Sequence, residues 1–224
     1  MLSIRYLTIF SFILTMGITS SINAQDAESV SDGRLGIEEI IVTGTKRDIS
    51  QQDVPIAVST ITEQQLENTF RNDVFALGQL APNVTLTPQN GFNAIAGGMR
   101  GTGFISILVT KDPSVGIVVD DFAFNHVQAQ AIEMFDMEQV EIYRGPQGTL
   151  FGKNTTGGAI AFTTKKPVLG ETTFDVEATY GQYASNDASI EKINAAINFP
   201  IGDKLAVRIS VIQDEEEGYW TNSK

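Results

Sequence analysis

The chain has 224 residues, of which 27 are acidic and 15 basic, so its formal net charge is −12; it contains one histidine and no cysteine. The lack of cysteine excludes disulfides, thiolate zinc sites and iron–sulfur clusters, and the negative charge disfavours nucleic acid as a partner. The hydrophobic share of 42% is typical of a folded chain rather than of a disordered one.

The first 24 residues have the pattern of a secretory signal peptide. Arg5 supplies a positive start, residues 6–18 are mostly apolar, and small residues precede a cleavage point after Ala24. An uncleaved anchor is the alternative, but the apolar run is short for a membrane-spanning helix, which needs about 20 residues. Residues 25–36 are polar and are predicted to be a flexible exported N-terminus.

Residues 37–167 are predicted to form a compact α+β domain with many glycine-rich turns. Two helices are predicted, one at 63–67 with Thr62 as its cap and one at 72–80 that ends before Pro82. Short apolar or alternating runs predict strands at 56–61, 84–87, 95–100, 115–119, 137–143 and 158–164.

Residues 168–224 contain long runs in which apolar and polar side chains alternate with a period of two. The alternation predicts antiparallel strands at 173–180, 192–199 and 205–212. Aromatic residues lie near the strand ends, at Tyr180, Tyr183, Phe199, Tyr219 and Trp220. This pattern is typical of outer-membrane β-barrel strands, with apolar side chains facing lipid and polar ones facing the lumen. A soluble sheet with one wet face is the alternative, and the signal peptide favours the barrel.

No catalytic or metal-binding constellation is found. The glycine-rich stretch 148–154 differs from a P-loop in its spacing and in its last residue. Asp120 and Asp121 are interpreted as adjacent strand residues on opposite faces, which could not act on one substrate together. Glu215–Glu217 is interpreted as the start of a solvated loop. His126 is interpreted as a polar loop residue, with ligand contact as the alternative. We therefore predict no enzymatic activity, no cofactor and no metal.

An ordered set of motifs from Glu38 to Pro167 resembles the N-terminal part of TonB-dependent outer-membrane receptors. The most specific motif is Val-Glu-Ile-Tyr-Arg-Gly-Pro-Gln-Gly-Thr-Leu-Phe-Gly at 140–152, continuing to Lys-Lys-Pro at 165–167. The other motifs are the Glu-Glu-Ile-Ile-Val-Thr-Gly box at 38–44, Val-Pro-Ile-Ala-Val at 54–58, Leu-Ala-Pro-Asn-Val at 80–84, Met-Arg-Gly at 99–101 and Asp-Pro-Ser-Val-Gly at 112–116. Asp121 departs from the family, whose members usually carry Gly there, so the adjacent turn is in doubt.

The resemblance implies four segments: a signal peptide at 1–24, a flexible N-terminus at 25–53 with the TonB box at 38–44, a plug domain at 54–167 and the start of a β-barrel at 168–224. The implied fold class is an α+β plug followed by about the first three antiparallel strands of an outer-membrane barrel. Plugged barrels have about 22 strands of about 10 residues each. The barrel would thus be incomplete, and we expect an N-terminal fragment or a truncated reading frame.

The resemblance also implies three groups of site residues. Glu39, Ile40, Ile41, Val42 and Thr43 would bind TonB by adding a strand to its sheet, although they could instead be the first plug strand. Arg100 and Arg144 would lock the plug to acidic residues of the barrel wall, with a plug-internal salt bridge as the alternative. Ligand contacts are expected at Gln89, Asn90, Phe92, Phe104, Phe122, Asn125 and His126.

The implied function is active uptake of a scarce ligand across the outer membrane, with a ferric siderophore favoured over heme, a vitamin or a glycan. The alternative is a truncated product that engages TonB without transporting anything. The expected partners are TonB, a small-molecule ligand and outer-membrane lipid. The expected location is the outer membrane, with the plug facing the periplasm.

Overall fold

In a computed structural model of the chain, the described residues are 40–46, 49–68, 73–89, 94–104, 110–183 and 188–217. The predicted signal peptide, the polar stretch 25–36 and the predicted site residues Glu39, Asn90 and Phe92 lie outside these ranges. Within the described ranges, no helix is long and apolar enough to cross a membrane.

A five-stranded mixed sheet forms the centre of the predicted plug domain. Its strand order is β3–β9–β10–β7–β8, in which β10 and β7 are parallel and the other pairs are antiparallel. The strands are β3 (Val58–Thr62), β7 (Val115–Val119), β8 (Phe122–Phe124), β9 (Met137–Arg144) and β10 (Gly158–Thr164). The bounds of β7 and β10 agree with the predicted 115–119 and 158–164, because both strands are short apolar runs bounded by glycine or polar residues.

Each face of this sheet packs against a different layer. Successive side chains of a strand point to opposite faces, so Val140 and Ile142 of β9 lie on one side and Glu141 and Tyr143 on the other. The first face joins the larger hydrophobic cluster, which includes Leu66, Leu77, Met99 and Ile160. The second face joins a smaller cluster that contains Val42, Tyr143, Phe151 and Ala159.

Short helices and a three-stranded sheet cover the larger cluster. The helices over this cluster are α1 (Glu63–Glu67), a 3₁₀ turn (Val74–Ala76) and α2 (Leu77–Leu80). A second 3₁₀ turn lies at Val127–Ala129, and α3 (Gly148–Phe151) places Phe151 in the smaller cluster. The small sheet contains β4 (Val84–Pro88), β5 (Ile95–Met99) and β6 (Thr102–Phe104), in that order. The predicted helix at 63–67 matches α1, and the side chain of Gln65 accepts a hydrogen bond from the backbone of Thr62.

The helix predicted at 72–80 is present in the described residues from Val74 to Leu80 and ends where predicted, but its first turn is 3₁₀ and Asp73 is its cap. A 3₁₀ turn at Val74–Ala76 leads into the single turn of α2, and the Asp73 carboxylate accepts the N–H of Ala76 at 3.2 Å. Asp73 therefore begins a tight capped turn, and Ala81, which is already extended, ends α2 after four residues.

Asp120 and Asp121 form the turn between β7 and β8, and the prediction that they lie in a strand is wrong. Their φ angles are 45° and 71°, which is the left-handed region that favours glycine. Both residues can adopt this turn because aspartate tolerates the left-handed backbone conformation better than most L-residues do. The Asp120 carboxylate accepts the N–H and the hydroxyl of Thr164 at 3.0 and 2.7 Å.

Three long antiparallel strands follow the plug: β11 (Thr173–Gln182), β12 (Ser189–Ile201) and β13 (Leu205–Glu216). Their apolar side chains are exposed, with Phe174, Ile193 and Ile209 between 55% and 69% exposed. On the opposite face, Asn194 and Asn198 of β12 are buried, whereas most of β11 and the C-terminal half of β13 are exposed. The alternation predicted from the sequence is therefore present, whereas Glu215 and Glu216 extend β13 instead of starting a loop.

Candidate functional site

The box segment, defined here as Ile40–Gly44, lies against the second face of the central sheet. Residues Ile41–Val42 form β1, which pairs antiparallel with β2 (Ile49–Ser50) as a separate two-stranded sheet. Val42 is fully buried in the smaller cluster, while Ile41 remains 47% exposed. The segment is thus held by one buried side chain and a very short strand pair.

The carboxylate of Glu141 holds the backbone of the box segment. It accepts the N–H of Thr43 at 2.6 Å through Oε1 and the N–H of Gly44 at 2.7 Å through Oε2. Gln139 Nε2 donates to Oε1 at 2.9 Å and the Tyr143 hydroxyl donates to Oε2 at 2.7 Å. Glu141 is fully buried and forms no salt bridge with any described residue, so its charge is balanced by hydrogen bonds alone.

Gly44 and Tyr143 complete this contact. A Cβ atom on Gly44 would lie 2.4 Å from Glu141 Oε2 and 2.8 Å from the Tyr143 hydroxyl, so only glycine allows this close approach. Burial, together with the hydrogen bond to Glu141, raises the pKa of the Tyr143 hydroxyl above its ordinary value. Tyr143 therefore stays protonated and remains a donor to the carboxylate.

Arg100 and Arg144 lie together at the ends of β5 and β9. Arg144 donates to the Pro82 carbonyl at 3.1 Å and to the Ser59 hydroxyl at 2.8 Å. Burial and then the positive charge of Arg100 lower the pKa of Arg144. Neither guanidinium forms a salt bridge with an acidic residue among those described, so a plug-internal salt bridge is not seen there.

Two cations of the long strands contact acidic residues of the plug, which the sequence analysis did not identify as a site. Arg208 of β13 donates from Nε to both oxygens of Asp136 at 2.9 and 3.0 Å, and from Nη2 to Asp175 of β11 at 2.8 Å. The Nζ atom of Lys192 in β12 lies 3.7 Å from Oε1 of Glu133 in the plug. In the sequence, Lys192 and Arg208 occupy polar positions of the alternating strands. That pattern could have marked them as candidates, but it does not indicate which acidic residues they contact.

The linker between plug and strands is held by Asn198. Its side-chain amide donates to the carbonyls of Val168 and Glu171 at 2.9 and 2.6 Å, and its oxygen accepts the N–H of Val168 at 3.0 Å. Asn198 is fully buried, and these three bonds use both of its polar atoms. The path of the chain from the plug into β11 is therefore fixed by one strand residue.

The structure does not bring all the predicted ligand contacts together. Phe122 is 78% exposed beside the β7–β8 turn, whereas Asn125 and His126 follow the other end of β8. His126 Nδ1 accepts the N–H of Gln128 at 3.4 Å, and the Asn125 carbonyl accepts Asn154 Nδ2 at 3.3 Å. Gln89 directly follows β4, and its N–H donates to the Ala94 carbonyl at 3.0 Å. The Phe104 backbone closes β6. These assignments stay predictions.

Comparison with known proteins places this geometry in a family. The model of the TonB-dependent Receptor Plug Domain matches residues 50–159. The iron-regulated outer membrane virulence protein of Vibrio cholerae is 25% identical over 230 residues, covering 95% of this chain and 33% of that protein. The vitamin B12 transporter BtuB of Vibrio vulnificus is 25% identical over 145 residues, covering 64% of this chain and 23% of that protein.

A solved structure supports the same fold. The ferric yersiniabactin uptake receptor FyuA from Yersinia pestis superposes with a TM-score of 0.58 at 22% identity, over 70% of this chain and 24% of that one. The chain thus spans between about a quarter and a third of the length of the curated relatives it matches.

The matched domain is that of a receptor, and two of these proteins are named as a transporter and an uptake receptor, in agreement with the prediction that the chain is not an enzyme. The third is named as an outer membrane protein, in agreement with the predicted location. The predicted fold class, a plug followed by a few antiparallel barrel strands, is also confirmed. Residues 50–159 of the chain are therefore a TonB-dependent receptor plug domain.

Proposed function

We propose that this chain supplies the plug and TonB box of a receptor that takes up a ferric siderophore across the outer membrane. The names of an iron-regulated relative and of a ferric yersiniabactin uptake receptor support iron as the cargo. A relative that transports vitamin B12 shows that the family also serves other ligands. The preference for a siderophore therefore rests on these relatives and not on contacts of the described residues.

The observation that carries this proposal is the structure of the box segment. Strand β1 belongs to a separate two-residue pair with β2 and not to the ladder of the five-stranded sheet. Isolated two-stranded pairs are only marginally stable, so the β1–β2 pairing itself opposes an exchange of partner only weakly. A periplasmic protein with an open sheet edge can then pair with residues 39–43 through main-chain hydrogen bonds, which is the role we assign to TonB.

We assign the segments as a signal peptide at 1–24, an N-terminus with the TonB box at 25–53, the plug at 54–167 and barrel strands from 168 onward. The family match over 50–159 and the start of β11 at Thr173 support the last two boundaries. Arg100 and Arg144 are assigned to the lock between plug and barrel. Their proximity without an acidic partner among the described residues favours carboxylates from elsewhere on the barrel wall.

The substitution Ile41→Pro tests this function. Proline removes the backbone N–H of residue 41 and disfavours continued strand pairing on both sides. We expect cells with this variant to bind ferric siderophore at their surface but to lose both capture of the protein by periplasmic TonB and uptake of radioactive iron. The matched control Ile41→Val keeps the N–H and a β-branched side chain, and it should retain both activities.

The same assay separates the alternative, a binding-only product. If the unsubstituted protein is captured by TonB but cells accumulate no iron, transport of a ferric siderophore is excluded and the binding-only function is favoured. If Ile41→Pro takes up iron as well as Ile41→Val does, the box segment is not the coupling site and the proposal is wrong.

A further inference from the structure

We propose that Glu141 is a positioning residue that clasps the box segment and limits how much of it is accessible to a periplasmic partner. The inference rests on the proposed function, because it assigns the regulation of the same segment. Its foundation is the pair of hydrogen bonds from the backbone of Thr43 and Gly44 to the two oxygens of one buried carboxylate.

The clasp is specific to backbone atoms that strand addition also needs. A strand-adding partner binds the main-chain N–H and C=O groups of the segment it recruits. In the docked segment, the N–H groups of Thr43 and Gly44 are already occupied by Glu141, and the Thr43 hydroxyl accepts Gln139 Nε2 at 3.0 Å. Release of the clasp is therefore required before the C-terminal end of the box can pair with another protein.

The strength of the clasp comes from its charge and its burial. Hydrogen bonds from N–H groups to an ionised carboxylate are about twice as strong as neutral ones. Both bonds here are short, at 2.6 and 2.7 Å, and Glu141 has no exposed surface. By contrast, the β1–β2 pair contributes only two residue pairs, so Glu141 and the buried Val42 side chain hold the segment.

The chain offers two substitutions that break the clasp from opposite sides. Glu141→Gln replaces one accepting oxygen with an NH₂ group, which then faces an N–H or O–H donor instead of accepting from it. Gly44→Ala leaves the carboxylate intact but places a methyl group 2.4 Å from Oε2, so the backbone must move away. Glu138→Gln is the matched control, because Glu138 lies on the same strand with its side chain exposed.

The test measures the exposure of Val42 directly. The chain has no cysteine, so Val42→Cys introduces a single thiol at a position that is fully buried when the segment is docked. The measurement is the rate of maleimide labelling in outer-membrane fragments carrying the protein. We expect Glu141→Gln and Gly44→Ala each to increase this rate about tenfold or more, since loss of a charge-assisted bond shifts such an equilibrium by at least that factor. Glu138→Gln should leave the rate unchanged.

A second thiol distinguishes release of the segment from unfolding of the plug. Ile160→Cys lies in the larger cluster on the far face of the sheet and is also fully buried. It should stay protected in both clasp variants. If Val42→Cys keeps its parent rate in Glu141→Gln and in Gly44→Ala, the clasp is refuted. It is equally refuted if both thiols become reactive together, because Glu141 would then stabilise the plug as a whole.

Labelling requires neither TonB nor ligand, so the two proposals can fail independently. Faster labelling of Val42→Cys combined with no capture by TonB would leave the clasp standing and refute the proposed function. Capture by TonB combined with unchanged labelling would refute the clasp and leave the proposed function standing. If both hold, TonB capture should be stronger in Glu141→Gln than in Glu138→Gln.

Discussion

Asp121 adopts a backbone conformation that costs an aspartate more than it would cost a glycine. Its φ angle is 71°, its side chain is exposed, and it follows Asp120, whose φ angle is 45°. The two neighbours differ in what their side chains contribute. Asp120 holds Thr164 through two hydrogen bonds, so only Asp120 offsets its own backbone strain with contacts to β10.

We therefore predict that Asp121→Gly stabilises the protein. Relief of the left-handed conformation is worth about 1–2 kcal/mol, and the greater flexibility of unfolded glycine offsets about 0.5–1 kcal/mol of it. The midpoint of thermal unfolding of the purified protein in detergent should rise. The neighbouring change Asp120→Gly should lower that midpoint, because it also removes the bonds to Thr164. A lower midpoint for Asp121→Gly would show that its carboxylate stabilises the turn in another way.

Glu141 shows how far sequence reasoning reaches at a single residue. The sequence predicted a strand at 137–143, which β9 matches to within one residue, but it assigned no separate role to Glu141. Its partner Thr43 is 98 positions away along the chain. Local periodicity carries no information about such a pairing, and only the fold brings the two residues together.

At the scale of elements, prediction succeeded where a strand is long enough to show a pattern. Strands β7 and β10 have five and seven residues, and their bounds were predicted correctly. Strands β1 and β2 have two residues each, and β6 and β8 have three, so none of them displays a full alternation. Strands β2, β6 and β8 were missed because their tertiary neighbours, rather than their own residues, define them. Strand β1 lies within Glu39–Thr43, for which a first plug strand was the stated alternative.

The strands β11 and β13 are tied to the plug through a nearly buried ion pair. The side chains of Arg208 and Asp136 are 9% and 7% exposed, whereas Asp175 is 49% exposed. Removing one partner of a buried pair leaves an uncompensated charge, and such losses reach about 3–5 kcal/mol. The backbone of Asp136 also lies in the left-handed region, with a φ angle of 62°, so few other residues fit at this position.

We predict that Arg208→Met weakens the attachment of these strands to the plug by about 3 kcal/mol, because Asp136 is left charged and buried. The midpoint of thermal unfolding in detergent should fall clearly. Adding Asp136→Asn should recover part of the loss, since Asn is neutral and tolerates the left-handed region. The control Lys204→Met, at an exposed turn residue, should change little. An unchanged midpoint in Arg208→Met would show that the ion pair contributes nothing to the attachment.

For the molecule as a whole, the strand register defines an axis across the membrane. Val176, Ala195 and Val211 lie side by side in one row of the β11–β12–β13 sheet, near the middle of each strand. The strands have 10, 13 and 12 residues, enough to cross a bilayer when tilted, which takes about 9–11. Val176 and Val211 are 56% and 59% exposed, so we expect this row to lie at the depth where lipid is most apolar.

This geometry predicts that arginine is tolerated at the strand end but not in the middle row. Val176→Arg places a cation near the bilayer midplane at a cost of about 2–4 kcal/mol, whereas Tyr180→Arg lies toward the interface, where the cost is about 0–1 kcal/mol. Both side chains are exposed on the same face of β11, so the two variants differ mainly in depth. We expect Val176→Arg to reduce strongly the amount of folded protein in outer-membrane fractions and Tyr180→Arg to leave it nearly unchanged. Equal yields would mean that this face contacts protein or water instead of lipid.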